Sequence, residues 1–272
     1  MKFRTVVDIP KPAFRIEPGE RMLFVGSCFA SEMAERFAEE KFRVTANPFG
    51  TMYNPASICH TVDRLEGTAP QTAVFTLGTN HVYILNATGE IVDNCQKRPQ
   101  RLFTERELSV DECTAFLQQA VDTLRHRNPQ VRVIVTVSPI RYAKYGYHGS
   151  QLSKATLLIA ADRLCKDNPD STEYFPAYEL FNDELRDYRF YAEDMLHPSR
   201  QAVDYVWERF SELYFSDAAK TFIEEWRPVK QALHHRPIHP ESEEYKSFLA
   251  KAKARERELE ARIWGKPGEQ PE

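Results

Sequence analysis

Apolar positions along the chain change their period several times, and each change marks an element. Residues 21–26, RMLFVG, are a short apolar run closed by glycine, the pattern of a buried strand. From 28 to 41 the apolar residues Phe29, Ala30, Met33, Ala34, Phe37 and Ala38 recur at helical spacing, with Glu32, Glu35 and Glu39 opposite. After a loop, NPFGTMYNP (47–55), Asn54 and Pro55 fit the N-cap and first position of a second helix. TAVFTLG (72–78) predicts a strand, and HVYIL and IVDNC about a turn at 86–90 predict a hairpin. Ser109 opens an amphipathic helix over 109–127, and VRVIVTVSP (131–139) is a β-branched strand stopped by Pro139. Helices are predicted over 150–167 and 200–213, with a short strand inside TEYFPAYEL between them.

Strands alternating with helices predict an α/β fold: a mostly parallel sheet covered on both faces, a three-layer α/β/α sandwich. Ligands of such sheets bind at the carboxyl ends of the strands, where the loops gather. The style changes after Phe215. Residues 216–240 contain HHRPIHP, and 241–264 predict a charge-rich helix with Tyr245, Phe248, Leu249, Ala252, Leu259 and Ile263 on one side. The chain thus divides into an arm at 1–20, an α/β domain at 21–215 and a C-terminal helical extension at 216–272. The apolar stripe of the extension is expected to cover the parent domain or a twin subunit in a homodimer.

Composition narrows the classes. With 42% hydrophobic and 28% charged residues in 272, the chain can bury a sizeable core, and its net charge of −4 argues against a nucleic-acid surface. The first twenty residues lack the apolar core of a signal peptide, and no run reaches the ~18 apolar residues of a membrane span. The five cysteines, at 28, 59, 95, 113 and 165, are an odd set without a CxxC pair, so neither a disulfide framework nor a zinc knuckle is indicated. These features predict a cytoplasmic protein with no nucleic-acid or membrane partner, no metal and no cofactor. Cys59, Cys113 and Cys165 read as packing residues; His234, His235 and His239, interrupted by prolines, read as a linker. Ser153-Lys154 is set aside as a pair, because adjacent helical residues do not face each other.

Four stretches fall where strands end or helices begin: Gly26-Ser27-Cys28-Phe29-Ala30, Gly50 in N-P-F-G-T, Leu77-Gly78-Thr79-Asn80, and Asp194-Met195-Leu196-His197-Pro198. The last is suggestive by itself. An Asp three residues before a His can hold one ring nitrogen and leave the other to act as base.

The ordered blocks G-S-C-F-A, G-T-N and D-x-L-H-P resemble those of SGNH/GDSL hydrolases, and VGSCFA, NPFGTMYNP, TLGT, VTVSP, YFPAYEL and YAEDMLHPS resemble the GSCFA family from about Phe24 to Phe210. The resemblance implies an SGNH-like fold in which a nucleophile in the first block attacks an ester carbonyl. His197, oriented by Asp194, would take its proton. The backbone N–H at the nucleophile and at Gly50, with the Asn80 side chain, would hold the oxyanion. The implied activity is that of an acyl-ester hydrolase acting on an acylated small molecule or saccharide through a covalent acyl-enzyme. An acyltransferase with the same site, or a non-catalytic binding module, are the alternatives. Two positions depart from the pattern: His81 replaces the acid of G-x-N-D, and Asn94-Cys95-Gln96-Lys97 stands where the family often reads N-C-H-K.

Either Ser27 or Cys28 can be the nucleophile. Laying G-S-C-F-A on G-D-S-L without a gap favours Cys28, which shares the solvent face of its helix with Ser31, Glu32 and Glu35, while Ser27 falls at the N-cap. A helix N-terminus near a histidine is also a setting in which thiols react.

Overall fold

The computed structural model describes residue 1 and residues 4–265; residues 2 and 3 of the arm and 266–272 of the extension lie outside the described residues. Five parallel strands form the central sheet: β1 (Arg21–Gly26), β2 (Arg43–Ala46), β3 (Thr72–Leu77), β7 (Arg132–Val137) and β8 (Thr172–Tyr174), in the order β2-β1-β3-β7-β8. A second, antiparallel sheet comprises β4 (His81–Leu85), β5 (Ile91–Val92) and β6 (Phe103–Glu107), in the order β5-β4-β6. The helices are α1 (Cys28–Glu39), α2 (Pro55–Asp63), α3 (Val110–Arg127), α4 (Gly146–Asp167), the short α5 (Ala177–Glu179), α6 (Arg200–Tyr214), α7 (Asp217–His234) and α8 (Glu243–Trp264).

Successive strand residues feed opposite cores, as the period of two requires. Leu23, Val25, Ala73, Phe75, Val133 and Val135 pack with α2, α3 and α4. Met22, Phe24, Val74 and Ile134 pack with Phe29, Met33 and Phe37 of α1 and Val206 and Phe210 of α6. The sandwich is therefore three-layered, and the mostly apolar central strands β1, β3 and β7 are buried on both faces. Chain order reverses between β1 and β3, which places a topological switch point at their carboxyl ends. No helix among the described residues is long and apolar enough to cross a membrane.

The periodic elements emerge close to their expected ranges. Asn54 caps α2 by accepting from Ser57 N at 2.9 Å, and Ser109 closes a capping box with Glu112. Two strands were not legible. β2 is a four-residue edge strand, partly exposed, and β6 reads FTERE with only Phe103 buried. The expected hairpin is consequently one part of a three-stranded sheet. Helix α7 lies within the extension expected to be helical, although Pro228 interrupts its pattern and its bounds were not indicated; Phe222, Trp226 and Val229 line one face and meet Leu259 and Ile263 of α8. The arm is not loose: Ile16 is fully buried, bridges Phe215 and donates to Tyr214 O at 2.8 Å.

The extension docks on its own chain. Trp226 Nε1 donates to the Glu39 carbonyl at the end of α1 (2.8 Å), and Lys230 binds the Glu39 and Glu40 carboxylates (2.7 and 2.9 Å). Lys41 binds Glu256 and Glu260 of α8 at 2.7 and 2.8 Å. Leu259 and Ile263, two residues of the stripe considered for a twin subunit, are thus covered by α7.

Lys154 of α4 is the least expected core residue, only 2% exposed and, among the described residues, facing no carboxylate. Its Nζ donates to the carbonyls of Gly78 and Ser138 at 2.7 Å each, just beyond the ends of β3 and β7 where the ladder no longer supplies partners. Burial pulls the Lys154 ammonium down from 10.5 to about 7. The unfolded chain therefore binds the proton throughout the window from about 7 to 10.5 while the folded chain does not. This group adds stability as pH rises through that window and loses it as pH falls toward 7. Denaturant midpoints measured at pH 7 and pH 9 should show a gain in the wild type that Lys154→Met lacks; equal pH slopes in both would place the titration elsewhere.

Candidate active site

Gly26 ends β1 and allows the chain to turn into α1. Its φ of +147° and the 2.2 Å separation between an added Cβ and Thr76 O leave no room for a side chain. Beyond this turn the two candidate nucleophiles part. Ser27 is fully buried, and its hydroxyl lies 3.2 Å from Thr76 Oγ1. It makes no capping bond, contrary to the expectation from its N-cap position. Cys28, at the first helical position, is half-buried and lines a cavity of about 680 Å³ over the carboxyl ends of the strands. Ala30 N–H donates to Ser27 O at 2.8 Å, and with no side-chain cap at Ser27 the N–H groups of Cys28 and Phe29 are left without intrahelical partners beside that thiol.

His197 borders the same cavity. Its Nδ1 lies 2.6 Å from Asp194 Oδ2, while Asp194 Oδ1 accepts the N–H groups of Leu196 and His197 at 2.9 and 3.0 Å. The backbone N–H groups of His197 and Leu196, joined by the imidazole, draw the Asp194 carboxyl down to about 2. The carboxylate thus orients both the loop and the ring. Glu32, one turn along α1 from Cys28, is close enough to sense His197; burial nevertheless raises its carboxyl.

Arg141, just beyond β7, secures this loop. Its backbone N–H donates to Leu196 O at 3.1 Å, and its guanidinium Nε and Nη2 both donate to Met195 O. Met195 is held at a φ of +60°, where a non-glycine residue is strained. Arg141 also stacks on Tyr191, 4.4 Å from the ring centroid.

Two expected oxyanion donors are engaged elsewhere. Gly50 is exposed, and its N–H donates to Asn47 O at 2.8 Å within the turn. Asn80 is 3% exposed; its Nδ2 donates to Leu108 O at 2.7 Å, and its backbone N–H donates to Ser153 Oγ at 2.9 Å. Asn80 thereby ties β4 to α3 and α4 and does not border the cavity, whereas its neighbour Thr79 does. The misplacement has a simple cause: motif spacing identifies the strand end but not which of two successive side chains faces the cleft.

Tyrosines dominate the remaining wall. Tyr53, Tyr83, Tyr142 and Tyr145 line the cavity with His81, which stacks on Tyr145 at 3.6 Å between centroids. Burial lowers the His81 imidazole despite Glu107 and Glu105 nearby. Tyr53 lies against the Cys28 thiol, and burial followed by that neighbour raises its phenol. Its carbonyl accepts from Gly78 N (3.0 Å) and Thr79 N (2.7 Å), pinning the 47–55 loop across the switch point. Asn94 and Cys95 of the departing stretch also reach the cavity. The one usable sequence signal for Tyr142 and Arg141 was their position in the loop that follows the buried parallel strand β7.

Arg141→Met should release the Met195 carbonyl and speed amide exchange of Leu196 and His197. Hydrogen-exchange mass spectrometry of the peptide spanning 190–200 checks this, and unchanged protection would show that the Asp194 bonds hold the loop unaided.

No curated protein matches the chain. Among solved structures it is similar to a catalytic mutant of an acetylxylan esterase from Geobacillus stearothermophilus, at 13% identity and a TM-score of 0.47, covering 75% of this chain and 98% of that one. It is also similar to a carbohydrate esterase family 3 protein from Talaromyces cellulolyticus, at 11% identity and a TM-score of 0.41, covering 75% and 98%. The family models are more direct. That of the GSCFA family matches residues 21–73 and 68–210, and that of the GSCFA domain protein C-terminal domain matches 226–263. By those matches, over strands, helices and the loops that carry Cys28, Asp194 and His197, the chain belongs to the GSCFA family.

Proposed function

We propose that the protein is an acyl-ester hydrolase that works through a covalent acyl-enzyme on Cys28, with His197 as general base and Asp194 as its orienting partner. The observation that carries this reading is the divergence of two neighbours: the Ser27 hydroxyl turns into the fold toward Thr76, whereas Cys28 and the Asp194-held His197 border one cavity. His197 takes the thiol proton, and the sulfur attacks the carbonyl carbon of the ester. Collapse of the tetrahedral intermediate expels the alcohol, which receives the proton from His197. Water, activated by the same imidazole, then cleaves the thioester.

The tyrosine-lined cavity of about 680 Å³ suits a small acylated molecule or one sugar unit with its ester. A cytoplasmic setting, where thiols stay reduced, suits a cysteine nucleophile. A thioester also passes readily to amines and other alcohols, so acyl transfer shares the first half-reaction with hydrolysis. A pure binding module needs no oriented base, which is why the Asp194–His197 pair favours catalysis.

Intact-mass analysis after p-nitrophenyl acetate treatment should find one acetyl adduct in wild type and in Ser27→Ala, and none in Cys28→Ala. Ser27→Ala should lose about 1 kcal/mol of stability with its buried hydroxyl bond. An adduct on Ser27, or one that survives both substitutions, would refute Cys28 as the nucleophile.

A further inference from the structure

With Gly50 and Asn80 engaged elsewhere, the acyl oxyanion lacks a side-chain donor, and one hydroxyl at the site lacks a partner. Among the described residues the Tyr142 hydroxyl, though buried, has no hydrogen-bond partner, and Tyr142 lines the cavity. A buried phenol without a partner is costly, so such groups usually mark a ligand position or a bound water. We propose that Tyr142 donates its O–H to the oxyanion formed on the substrate carbonyl, completing a hole whose other donors are the N–H groups of Cys28 and Phe29 at the start of α1. The proposal rests on Cys28 being the nucleophile.

Register supports the placement. Gly26 of β1 pairs with Thr76 of β3, so Cys28 and Gly78 each lie two residues beyond the same pair, on one edge of the sheet. The Tyr142 hydroxyl rests on Gly78: a Cβ there would be 2.2 Å from it and 2.9 Å from Tyr53 O. Only glycine lets the phenol approach so closely. Tyr53 meets the Tyr142 ring edge-on, with centroids 6.1 Å apart, and the buried Lys154 Nζ, bonded to Gly78 O, sits 5.0 Å from its centroid. The ring is therefore held in place before substrate arrives, which is the condition for an effective oxyanion donor. Burial first, then Tyr53 and Cys28, hold the phenol well above the usual tyrosine range, so it keeps the proton it needs to donate.

In the step itself the Cys28 sulfur forms a bond to the carbonyl carbon, and the C=O π pair moves to oxygen. The Tyr142 O–H binds that oxygen without transferring its proton. When the pair returns, the bond to the alcohol breaks and the alkoxide takes the proton held by His197.

Tyr142→Phe removes one oxygen and no existing bond, so the melting temperature should stay level or rise. Turnover of p-nitrophenyl acetate should fall by about 10²–10³-fold. Alkylation of Cys28 by iodoacetamide, which forms no oxyanion, should keep its wild-type rate. Wild-type turnover in Tyr142→Phe, beside a wild type that is acylated at Cys28, overturns this inference and leaves the nucleophile standing. Equal slowing of both reactions, or a lowered melting temperature, gives Tyr142 a structural role and likewise overturns it. A wild type that takes no acyl group on Cys28 removes the nucleophile, and the oxyanion assignment falls with it.

Discussion

At residue 26 the backbone has no room for a side chain, since a Cβ would press within 2.2 Å of the Thr76 carbonyl oxygen. This one close approach lets β1 and β3 lie side by side to their last residues and still turns the chain sharply into α1. The turn directs Ser27 inward to Thr76 and Cys28 outward to the cavity. Asn47 reinforces it, accepting from Gly26 N at 2.9 Å and donating to Ser31 Oγ at 3.0 Å. A larger residue at 26 would separate the strands and relocate the thiol, so the chemistry of the site depends on a steric constraint in the sheet.

Beyond the strand ends, the backbone has outrun its ladder and needs other partners. Lys154 supplies two donors from below, to Gly78 and Ser138, and the Tyr53 carbonyl collects two N–H groups from above. Arg141 performs the same service for the Met195 carbonyl across the cavity. These groups are polar, buried or half-buried, and connected through backbone atoms rather than through each other. Such an arrangement fixes loops whose sequences have little intrinsic preference for one conformation. It also explains how an exposed Asp–His pair keeps its geometry: the carboxylate bonds two amides of its own loop, and the loop is tied to β7.

The extension follows a different logic. Ion pairs from Lys41 and Lys230, with the Trp226 indole on the Glu39 carbonyl, place α7 and α8 at the carboxyl-terminal end of α1. Cations near that end also suit the helix dipole. The same α1 begins at Cys28, so the extension braces the far end of the helix that presents the thiol.

Much of this was written in the sequence. Continuous apolar runs marked β1, β3 and β7, because burial on both faces of a sheet demands them, and a 3.6 period marked α1, α3 and α6. The Asp194–His197 pair was legible for a similar reason: three residues of spacing already bring carboxylate and imidazole within reach. What the sequence could not decide was direction and competition. Whether Ser27 caps α1 or turns to Thr76, and whether Asn80 faces the cleft or Leu108, depends on neighbours supplied by strands and helices distant along the chain. The edge strands β2 and β6 were invisible because half-exposed strands carry little apolar pattern, and the bounds of α7 within the helical extension were hidden by Pro228, in a helix that tertiary packing sustains. Tyr142 and Lys154 acquire meaning only in three dimensions: one is a phenol left without a partner by its packing on Gly78, the other an ammonium buried among carbonyls that no local pattern could foretell.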